Sequence, residues 1–231
     1  MKAWANKLDK EWNPDYLLPA LVSLRKDGFY YLIDGQHSTH VAKIREGESF
    51  KRDCMVYEGL SLDMEARLFL AANRDRKAVR PLDTHHVALT ARDEIAVRID
   101  EEVTSCGLTV NSGTTATRVG AVQALQYLAK TEGMIRTVLT CAEEAWGRRA
   151  SSWDGTVLRA LGMIIEKNGE VINRDRLVKV MGEKTVQQWK SQAIVKAMNG
   201  GGSSSRSKPL ANDIIARYNN RLTTTTKLEA V

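Results

Sequence analysis

The residues of this chain best suited to chemistry form the polar string IDGQHSTH at positions 33–40. An apolar strand ends here, Asp34-Gly35 makes a sharp turn, and Ser38 or Thr39 lies where a helix would begin. A strand, a turn and a helix in this order direct several backbone N–H groups toward one point. Those groups and the helix dipole favour a phosphate or another anion, and Gly35 lets the anion approach the backbone. The string therefore predicts an anion-binding loop.

Side chains in and near the string reinforce that chemistry, although each also has an ordinary explanation. His37 can add a hydrogen-bond donor to an anion. Asp34, His37 and Glu58 are candidate acid or base groups for catalysis. Alternatively, the turn is a common one, Thr39 is an ordinary N-cap and His37 is a surface residue.

The pattern around the string predicts a small mixed sheet. Apolar runs predict three strands, at residues 20–24, 29–33 and 53–57. Asp27-Gly28 is typical of a hairpin turn between the first two strands. Residues 39–46 can form a short helix that Gly47 would end. The predicted order is strand, loop, helix, strand.

A stronger helix is predicted from Ser61, a suitable N-cap, with Asp63 and Glu65 in its positive first turn. Apolar residues at helical spacing then share one face: Leu62, Ala66, Phe69 and Ala72. Directly after this helix, four cations occur within seven residues: Arg74, Arg76, Lys77 and Arg80. They can meet a DNA backbone or a nucleotide phosphate, or form a solvated turn partly neutralised by Asp75 and Asp83.

From about Pro81 onward the strand signals nearly vanish, and amphipathic patterns predict helices. The patterns cover residues 83–105, 117–130, 134–146, 154–167, 174–181 and 185–198. A Gly/Ser-rich stretch at 199–208 predicts a flexible loop, followed by a short helix at 210–222 and a frayed tail from Thr223. The second half of the chain is therefore predicted to be helical.

The last two long patterns form a helix, a turn at Gly182 and a second helix with Lys184 and Lys190. Such a pair is typical of a helix-turn-helix, whose second helix would read the major groove of DNA. It is also typical of a helical hairpin packed by its apolar residues, which are Leu177, Val180, Val186, Trp189 and Ile194. The sequence leaves both alternatives open.

The string at 33–40 resembles the D-G-Q-H-R signature of the ParB/sulfiredoxin superfamily. A second block, LAANRDRKAVRPL at 70–82, resembles the ParB stretch in which E-N-x-x-R precedes P-x-E and a helix. The order and separation of the two blocks also fit, and the resemblance covers about residues 5–90. It implies a ParB-like module with a sulfiredoxin-like fold, of the DGQHR type that phages and other mobile elements carry.

Members of that superfamily bind nucleotides, which implies a nucleoside triphosphate with Mg²⁺ as the cofactor. Carried over by position, the phosphate-binding residues would be Asp34, Gly35, Gln36, His37, Ser38, Thr39, Asn73 and Arg76. Asn73 and Arg76 would close over the triphosphate or its metal. Two departures put catalytic turnover in doubt: Ser38 replaces an arginine of the signature, and Ala72 replaces a metal-binding glutamate of ParB. Gln36 replaces the reactive cysteine of sulfiredoxin, which argues against that chemistry.

Composition is that of a basic globular protein of 231 residues, with 43% hydrophobic content and a net charge of +6. A pI near 9.2 fits a polyanionic partner, because basic patches attract phosphate backbones. No apolar stretch predicts a membrane helix or a signal peptide, so we expect a cytoplasmic protein.

Metal and disulfide chemistry are not predicted. Cys54, Cys106 and Cys141 are far apart and outside any CxxC spacing, and we expect them to be reduced and buried. The four histidines would need the fold to gather them into a metal site: His37, His40, His85 and His86. We therefore expect no bound metal apart from the Mg²⁺ of a nucleotide.

These observations predict an α+β protein in which a small mixed-sheet ParB-like module precedes an all-helical domain. The predicted divisions are 1–82 for the module, 83–198 for the helical domain, 199–209 for the flexible loop and 210–231 for the terminal helix and tail. A homo-oligomer and a protein partner are both compatible with this arrangement.

The first functional hypothesis is a DNA-associated protein that also binds a nucleotide in its loop, for regulation, partition or DNA modification in a phage or mobile element. Its DNA-binding residues would be Arg74, Arg76, Lys77, Arg80, Lys184 and Lys190. One alternative is a nucleotide-dependent enzyme, such as a small-molecule kinase or a nuclease. Another is a protein-binding factor that keeps the fold with a degenerate pocket.

Overall fold

The computed structural model describes residues 12–73, 79–199, 206–220, 222–223 and 226–231. The chain divides into two units, Met1–Ala78 and Val79–Val231, called here the N-terminal unit and the helical unit. Among the described residues, the N-terminal unit contains a three-stranded sheet and two α-helices, and the helical unit contains eight α-helices and a two-stranded sheet. The fold is therefore mixed α and β, as predicted.

The sheet of the N-terminal unit has the order β2-β1-β3. Its strands are β1 (Ala20–Leu24), β2 (Tyr30–Asp34) and β3 (Cys54–Glu58), and each lies within one residue of its predicted position. β1 pairs with β2 in the antiparallel direction and with β3 in the parallel direction. The predicted turn at Asp27-Gly28 joins β1 to β2, with Gly28 in a left-handed conformation at φ 79°. This confirms the predicted mixed sheet.

Helix α1 (Gln36–Glu46) connects β2 to β3 and begins three residues earlier than predicted. Gly35 adopts a left-handed conformation, φ 96° and ψ 15°, so the chain turns directly from the strand into the helix. The helix ends at Gly47 as predicted, where the Gly47 N–H donates to the Lys43 carbonyl at 3.0 Å. The residues expected to form a loop are therefore the first turn of α1.

Helix α2 (Leu62–Asn73) begins after Ser61, which accepts a hydrogen bond from the Met64 N–H at 3.3 Å and so caps the helix as predicted. The predicted apolar face is not buried, however, since Leu62 is 69% exposed and Phe69 is 46% exposed. The helix instead packs toward β2 with Glu65 buried. Arg25, just after β1, attracts this face because its Nε lies 2.8 Å from Glu65 Oε1.

The buried residues of the N-terminal unit are few and mostly small. Within its described part they are Ala20, Val22, Ser23, Ile33, Val41, Ala42 and Glu65. A short 3₁₀ helix, Pro14–Tyr16, precedes the sheet. Hydrogen bonding in the sheet and polar contacts between elements therefore carry much of the organisation of this unit.

The helical unit is built from short and medium helices in close succession. They are α3 (Pro81–Thr90), α4 (Glu94–Ser105), α5 (Val122–Leu128), α6 (Met134–Trp146), α7 (Gly155–Asn168), α8 (Arg174–Gly182), α9 (Val186–Asn199) and α10 (Ser207–Tyr218). Two 3₁₀ helices, Ala150–Trp153 and Gly169–Val171, flank α7. The predicted helical character of this half of the chain is confirmed.

Two local features depart from the predicted pattern. The stretch 83–105 forms two helices, because Arg92 takes a positive φ of 56° and Asp93 then caps α4 by accepting from the Ala96 N–H at 2.9 Å. Two short parallel strands, β4 (Thr109–Val110) and β5 (Arg118–Val119), enclose the polar segment 111–117. Strands of two residues carry too little alternation to be recognised in a sequence.

One hydrophobic core joins the helices of this unit. Trp153, Trp189 and Tyr218 are almost completely buried in it. Trp153 Nε1 donates to the Ala116 carbonyl at 3.1 Å, and Trp189 Nε1 donates to the Met181 carbonyl at 2.9 Å. The large aromatic rings are therefore both packed and hydrogen-bonded.

The C-terminal tail was predicted to fray from Thr223, and that prediction is wrong. Leu228 is only 4% exposed. Asparagine side chains of the helical unit bind the tail backbone: Asn219 Oδ1 accepts from the Leu228 N–H at 2.8 Å, and Asn168 Oδ1 accepts from the Glu229 N–H. These amides pair with the main chain much as a neighbouring strand would, which anchors the last residues.

The three cysteines are all free, but only Cys141 is buried. Cys106 is partly buried, and Cys54 is exposed because β3 is an edge strand of the sheet. The expectation that all three are buried is therefore wrong. No helix within the described ranges has both the length and the apolar character that crossing a bilayer requires.

Candidate functional site

The turn at Asp34-Gly35 gives the start of α1 its geometry. Asp34 Oδ1 accepts a hydrogen bond from the Gly35 N–H at 2.8 Å. Gly35 has φ 96°, and a Cβ atom on it would lie 3.3 Å from Ala20 Cβ. A residue with a side chain is therefore disfavoured here both by backbone conformation and by contact with β1.

Neither hydroxyl expected near the helix start acts as its N-cap. Ser38 Oγ donates to the Gly35 carbonyl at 3.0 Å, and Thr39 Oγ1 donates to the same carbonyl at 2.8 Å. The N-cap is Gly35, and no side chain caps this end of α1. The Thr39 N–H is bonded to the Gly35 carbonyl at 2.9 Å, so the Gln36 and Ser38 amides are the ones without a hydrogen bond to another described residue. The arrangement keeps the positive end of the helix open to an anion.

Arg52 is a residue of this site that the sequence did not reveal. Its Nη1 lies 2.7 Å from Thr39 Oγ1 and 3.1 Å from Ser38 Oγ, and its Nη2 donates to the Leu18 carbonyl. Its Nε is buried and has no hydrogen-bond partner in the part of the chain that the structure describes. A guanidinium group therefore braces the start of α1, close to Ser38, the position where the DGQHR signature has arginine.

Arg52 could not be placed from local patterns because it depends on strand pairing. It lies two residues before β3, and Ala20 of β1 pairs with Cys54 of β3. The same register places the start of β3 and the end of β2 on either side of the start of β1, since Leu21 pairs with Asp34. The only sequence signal is a cation just before an edge strand.

The three candidate acid or base residues do not come together. Asp34 and His37 lie at the end of the sheet where β2 finishes and α1 starts. Glu58 pairs with Leu24 at the opposite end, four residues further along β1 than Ala20, which corresponds to about 13 Å. Gln36 and His37 are exposed on the first turn of α1. Glu58 would therefore act apart from the other two groups.

Of the second sequence block, at 70–82, the structure describes residues 70–73 and 79–82. Asn73 is exposed at the end of α2, and its Nδ2 donates to the Phe69 carbonyl at 2.9 Å. No hydrogen bond among the described residues joins Asn73 to residues 34–39. Arg74, Arg76 and Lys77 lie outside the described residues. The expected closure of Asn73 and Arg76 over a ligand therefore stays a prediction.

The other predicted DNA-binding cations belong to the helical unit, and all three have partners. Arg80 makes a two-pronged pair with Asp83, at 2.8 and 3.0 Å. Lys184 Nζ lies 2.9 Å from Gln192 Oε1, and Lys190 Nζ lies 2.6 Å from Asp154 Oδ2. A DNA phosphate would have to compete with these contacts, most of all for Lys190, whose side chain is 25% exposed.

The helices of the predicted helix-turn-helix or hairpin, α8 and α9, pack mainly on other helices: α8 packs on α6 and α10, and α9 packs on α10. Of the apolar residues predicted to pack this pair, Leu177, Val180, Val186 and Trp189 are buried and Ile194 is partly buried, which both alternatives require. Thr185 and Gln188 form a reciprocal cap at the start of α9, since the Gln188 N–H donates to Thr185 Oγ1 and the Thr185 N–H donates to Gln188 Oε1. Reading of DNA by α9 stays a prediction.

Two of the four histidines, His85 and His86, are neighbours on α3 of the helical unit. His85 is buried and its ring centroid lies 6.2 Å from that of His86. Burial lowers the pKa of His85 below its ordinary value. No group of three or more His, Cys, Asp or Glu side chains able to hold a metal occurs in the described ranges.

An ion pair between Arg25 and Glu65, at the end of the sheet opposite the start of α1, joins elements of the N-terminal unit. Arg25 pairs with Glu65 and also lies over the Tyr31 ring, with its guanidinium carbon 3.8 Å from the ring centroid. The hydrogen bonds from Arg25 lower the pKa of Glu65 to about 2. This pair ties α2 to the β1-β2 hairpin.

Comparison with known proteins relates the chain to a family. No curated protein and no solved structure matches it significantly. A family model described as a family of unknown function, DUF6551, matches residues 7–225. That match extends over both the N-terminal unit and the helical unit. The chain therefore belongs to the DUF6551 family.

Proposed function

We propose that this protein associates with DNA and that its N-terminal unit binds a phosphate group at the start of α1. The phosphate belongs to DNA or to a nucleoside triphosphate with Mg²⁺, and the biological role is regulation, partition or DNA modification in a phage or mobile element. The proposal rests on the resemblance of residues 33–40 and 70–82 to ParB-like proteins. The observation that carries it is the helix start without a side-chain cap, braced by Arg52.

The backbone provides the first part of the argument. A helix start without a side-chain cap leaves amide N–H groups directed along the helix axis, where they favour a negative charge. Gly35 permits the left-handed turn into the helix, at a place where a Cβ atom would lie 3.3 Å from Ala20 Cβ. A phosphate oxygen at this point would complete the hydrogen bonding of the first turn of α1.

Arg52 provides the second part. Its guanidinium already donates to Thr39, Ser38 and the backbone, so it acts by holding the turn in shape and by raising the local positive potential. It does not replace the two-pronged phosphate contact of the signature arginine. This arrangement favours binding over catalytic turnover, and the separation of Glu58 from the loop points in the same direction.

The test compares binding by loop variants with binding by a matched surface variant. Labelled single-stranded and duplex DNA are titrated by fluorescence anisotropy, with and without each ribonucleotide and Mg²⁺. We expect His37→Ala and Arg52→Gln to weaken binding of the phosphate ligand by about tenfold. The control is Arg67→Gln, because Arg67 is an exposed arginine that pairs with Asp63 on α2, and it should change binding by less than about twofold.

Two results would contradict the proposal. Binding that both loop variants leave unchanged, but that weakens steeply with salt, would put the phosphate contacts on the basic segments instead. Absence of binding to DNA and to every nucleotide would favour a protein-binding role.

That protein-binding role is the second candidate, and an observation favours it. The N-terminal unit exposes many large apolar side chains: Tyr16, Leu18, Phe29, Tyr30, Ile44, Met55, Val56, Leu62, Met64, Phe69 and Leu70. Exposed apolar surface on this scale is typical of a surface that contacts another protein or a second copy of the chain. Analytical ultracentrifugation over a range of concentrations would detect a homo-oligomer directly.

A further inference from the structure

The helical unit contains a cavity of about 860 Å³ that none of the predicted sites includes. Four parts of the unit meet around it: the start of α3, the β5-α5 junction, the start of α7 and the start of α10. Ser112, from the polar segment 111–117, also lines it. This polar segment therefore lies at the edge of the cavity.

The lining combines a cationic part with an apolar part. Three arginines from separate elements contribute to it: Arg80, Arg159 and Arg206. Hydroxyl and amide groups come from Ser112, Gln123, Thr156 and Ser207. Apolar contacts come from Pro81, Leu82, Ala121, Val122 and Ala124. None of the lining residues is acidic, so the cavity favours an anion.

The charge of this cavity is only partly balanced by the protein. Arg80 is paired with Asp83, but neither Arg159 nor Arg206 has an ion-pair partner within the described ranges. Arg159 instead lies over the Tyr127 ring, with its guanidinium carbon 4.8 Å from the centroid. Asp154, the acid next to the lining residue Gly155, is bound to Lys190 at 2.6 Å. Two arginine charges therefore stay available to a ligand.

Ser207 contributes a hydroxyl group to the lining of the cavity. It is only 5% exposed, and its hydroxyl makes no hydrogen bond with any other described residue. The hydroxyl oxygen itself is not fully enclosed, so a ligand in the cavity can reach it. Ser207 is also the first residue of α10, a helix of 12 residues whose N-cap, Arg206, makes no side-chain capping bond. An accessible hydroxyl donor, an uncapped helix start and a cation therefore meet at one point.

We propose that this cavity binds a nucleoside polyphosphate. Its volume lies within the range of about 300–1,000 Å³ that small-molecule sites occupy. Arg159, Arg206 and the Ser207 hydroxyl bind the phosphate groups, and the apolar residues around Val122 contact the base and sugar. The site lies wholly within the helical unit and so is separate from the loop at the start of α1.

The test is isothermal titration calorimetry of the full chain with ATP, CTP and GTP, with adenosine and inorganic triphosphate as partial ligands. We expect Arg159→Gln and Arg206→Gln each to weaken binding of the preferred nucleotide by about tenfold. Lys208→Gln is the matched control, because Lys208 is an exposed cation beside Ser207 that does not line the cavity. It should change affinity by less than about twofold.

A second variant tests the cavity without removing an arginine. Gln123 is exposed and lines the cavity, so Gln123→Glu adds a negative charge with little effect on folding. We expect this variant to keep its circular dichroism spectrum and melting temperature and to lose nucleotide affinity by several-fold.

Three results would overturn this inference. One is nucleotide affinity that the two arginine variants and Gln123→Glu leave unchanged. Another is loss of nucleotide binding in Arg52→Gln with normal binding in Arg159→Gln, which would place the nucleotide at the loop and support the proposed function alone. The third is DNA binding that depends on Arg159 and Arg206 without any nucleotide binding, since the cavity would then hold nucleic acid.

Discussion

Different kinds of interaction stabilise each of the two units from within. The helical unit surrounds buried aromatic rings, among them Trp153 and Trp189, with a continuous apolar core. The N-terminal unit has no comparable core among its described residues, and Ile33 is one of its largest buried side chains. Its elements are joined by polar contacts, Arg25 with Glu65 and Arg52 with Thr39. The helical unit should therefore respond most to lost volume, and the N-terminal unit to lost charge or changed backbone.

The largest expected effect is in the core of the helical unit. Trp153→Ala should lower the free energy of unfolding by about 3–5 kcal/mol, because it removes a fully buried ring and leaves a cavity. Val171→Ala, at an exposed position, should change it by less than about 0.5 kcal/mol. Urea unfolding followed by circular dichroism measures both. A loss below about 1 kcal/mol for Trp153→Ala would contradict the proposed core.

The next effect is a backbone effect in the N-terminal unit. Gly35→Ala should destabilise that unit by about 1–3 kcal/mol, because the left-handed conformation and the contact with Ala20 both oppose a Cβ atom. Gly28→Ala is the control, since Gly28 has φ 79° but a Cβ atom added to it would meet no other atom within 4 Å. Hydrogen exchange of the β1-β2 amides compares the two variants. Equal losses would show that the contact with β1 is unimportant.

Structural features that depend on local sequence could be predicted, and features that depend on contacts between distant residues could not. The strands and most helices were placed correctly because apolar spacing and glycine turns are local signals. The burial of Glu65 on α2 was not predicted, because it depends on Arg25, which pairs with Glu65 from another element. Arg52 was missed because only the pairing of β3 with β1 brings it to residues 35–39. The anchored tail was missed for a similar reason, because it is bound by side-chain amides from other parts of the helical unit. Asn168 is distant from the tail along the chain, and no local pattern shows that Asn168 or Asn219 binds its backbone.

Acid should weaken the N-terminal unit through Glu65. Hydrogen bonds from Arg25 hold the pKa of Glu65 at about 2, below its ordinary value, so the pair contributes stability above the unfolded pKa near 4.3. That contribution is lost as the pH falls from about 4.5 to 2. Hydrogen exchange of β1 and β2 at pH 5 and pH 3 tests this. Glu65→Gln should remove the dependence, and an equal dependence in that variant would contradict the assignment.

The smallest expected effect is a pH dependence of the helical unit at milder acidity. Burial lowers the pKa of His85, so its neutral form is favoured in the folded state. Stability is then complete above the unfolded pKa near 6.5 and decreases as the pH falls below that value. Melting of the helical unit, followed by the fluorescence of the buried Trp153 and Trp189, should occur at a lower temperature at pH 5.5 than at pH 8. His85→Leu should reduce this shift, and an undiminished shift would assign it to other groups.

Backbone amide chemical shifts of the ¹⁵N-labelled full chain test the central claim most directly. The chain is titrated with the DNA or the nucleotide that binds, and each amide is followed by NMR. If the start of α1 is a phosphate site, the largest shifts with the DNA or nucleotide should include the Gln36 and Ser38 amides and should disappear in Arg52→Gln. Shifts that leave those two amides unmoved while the ligand binds elsewhere on the protein would contradict the account.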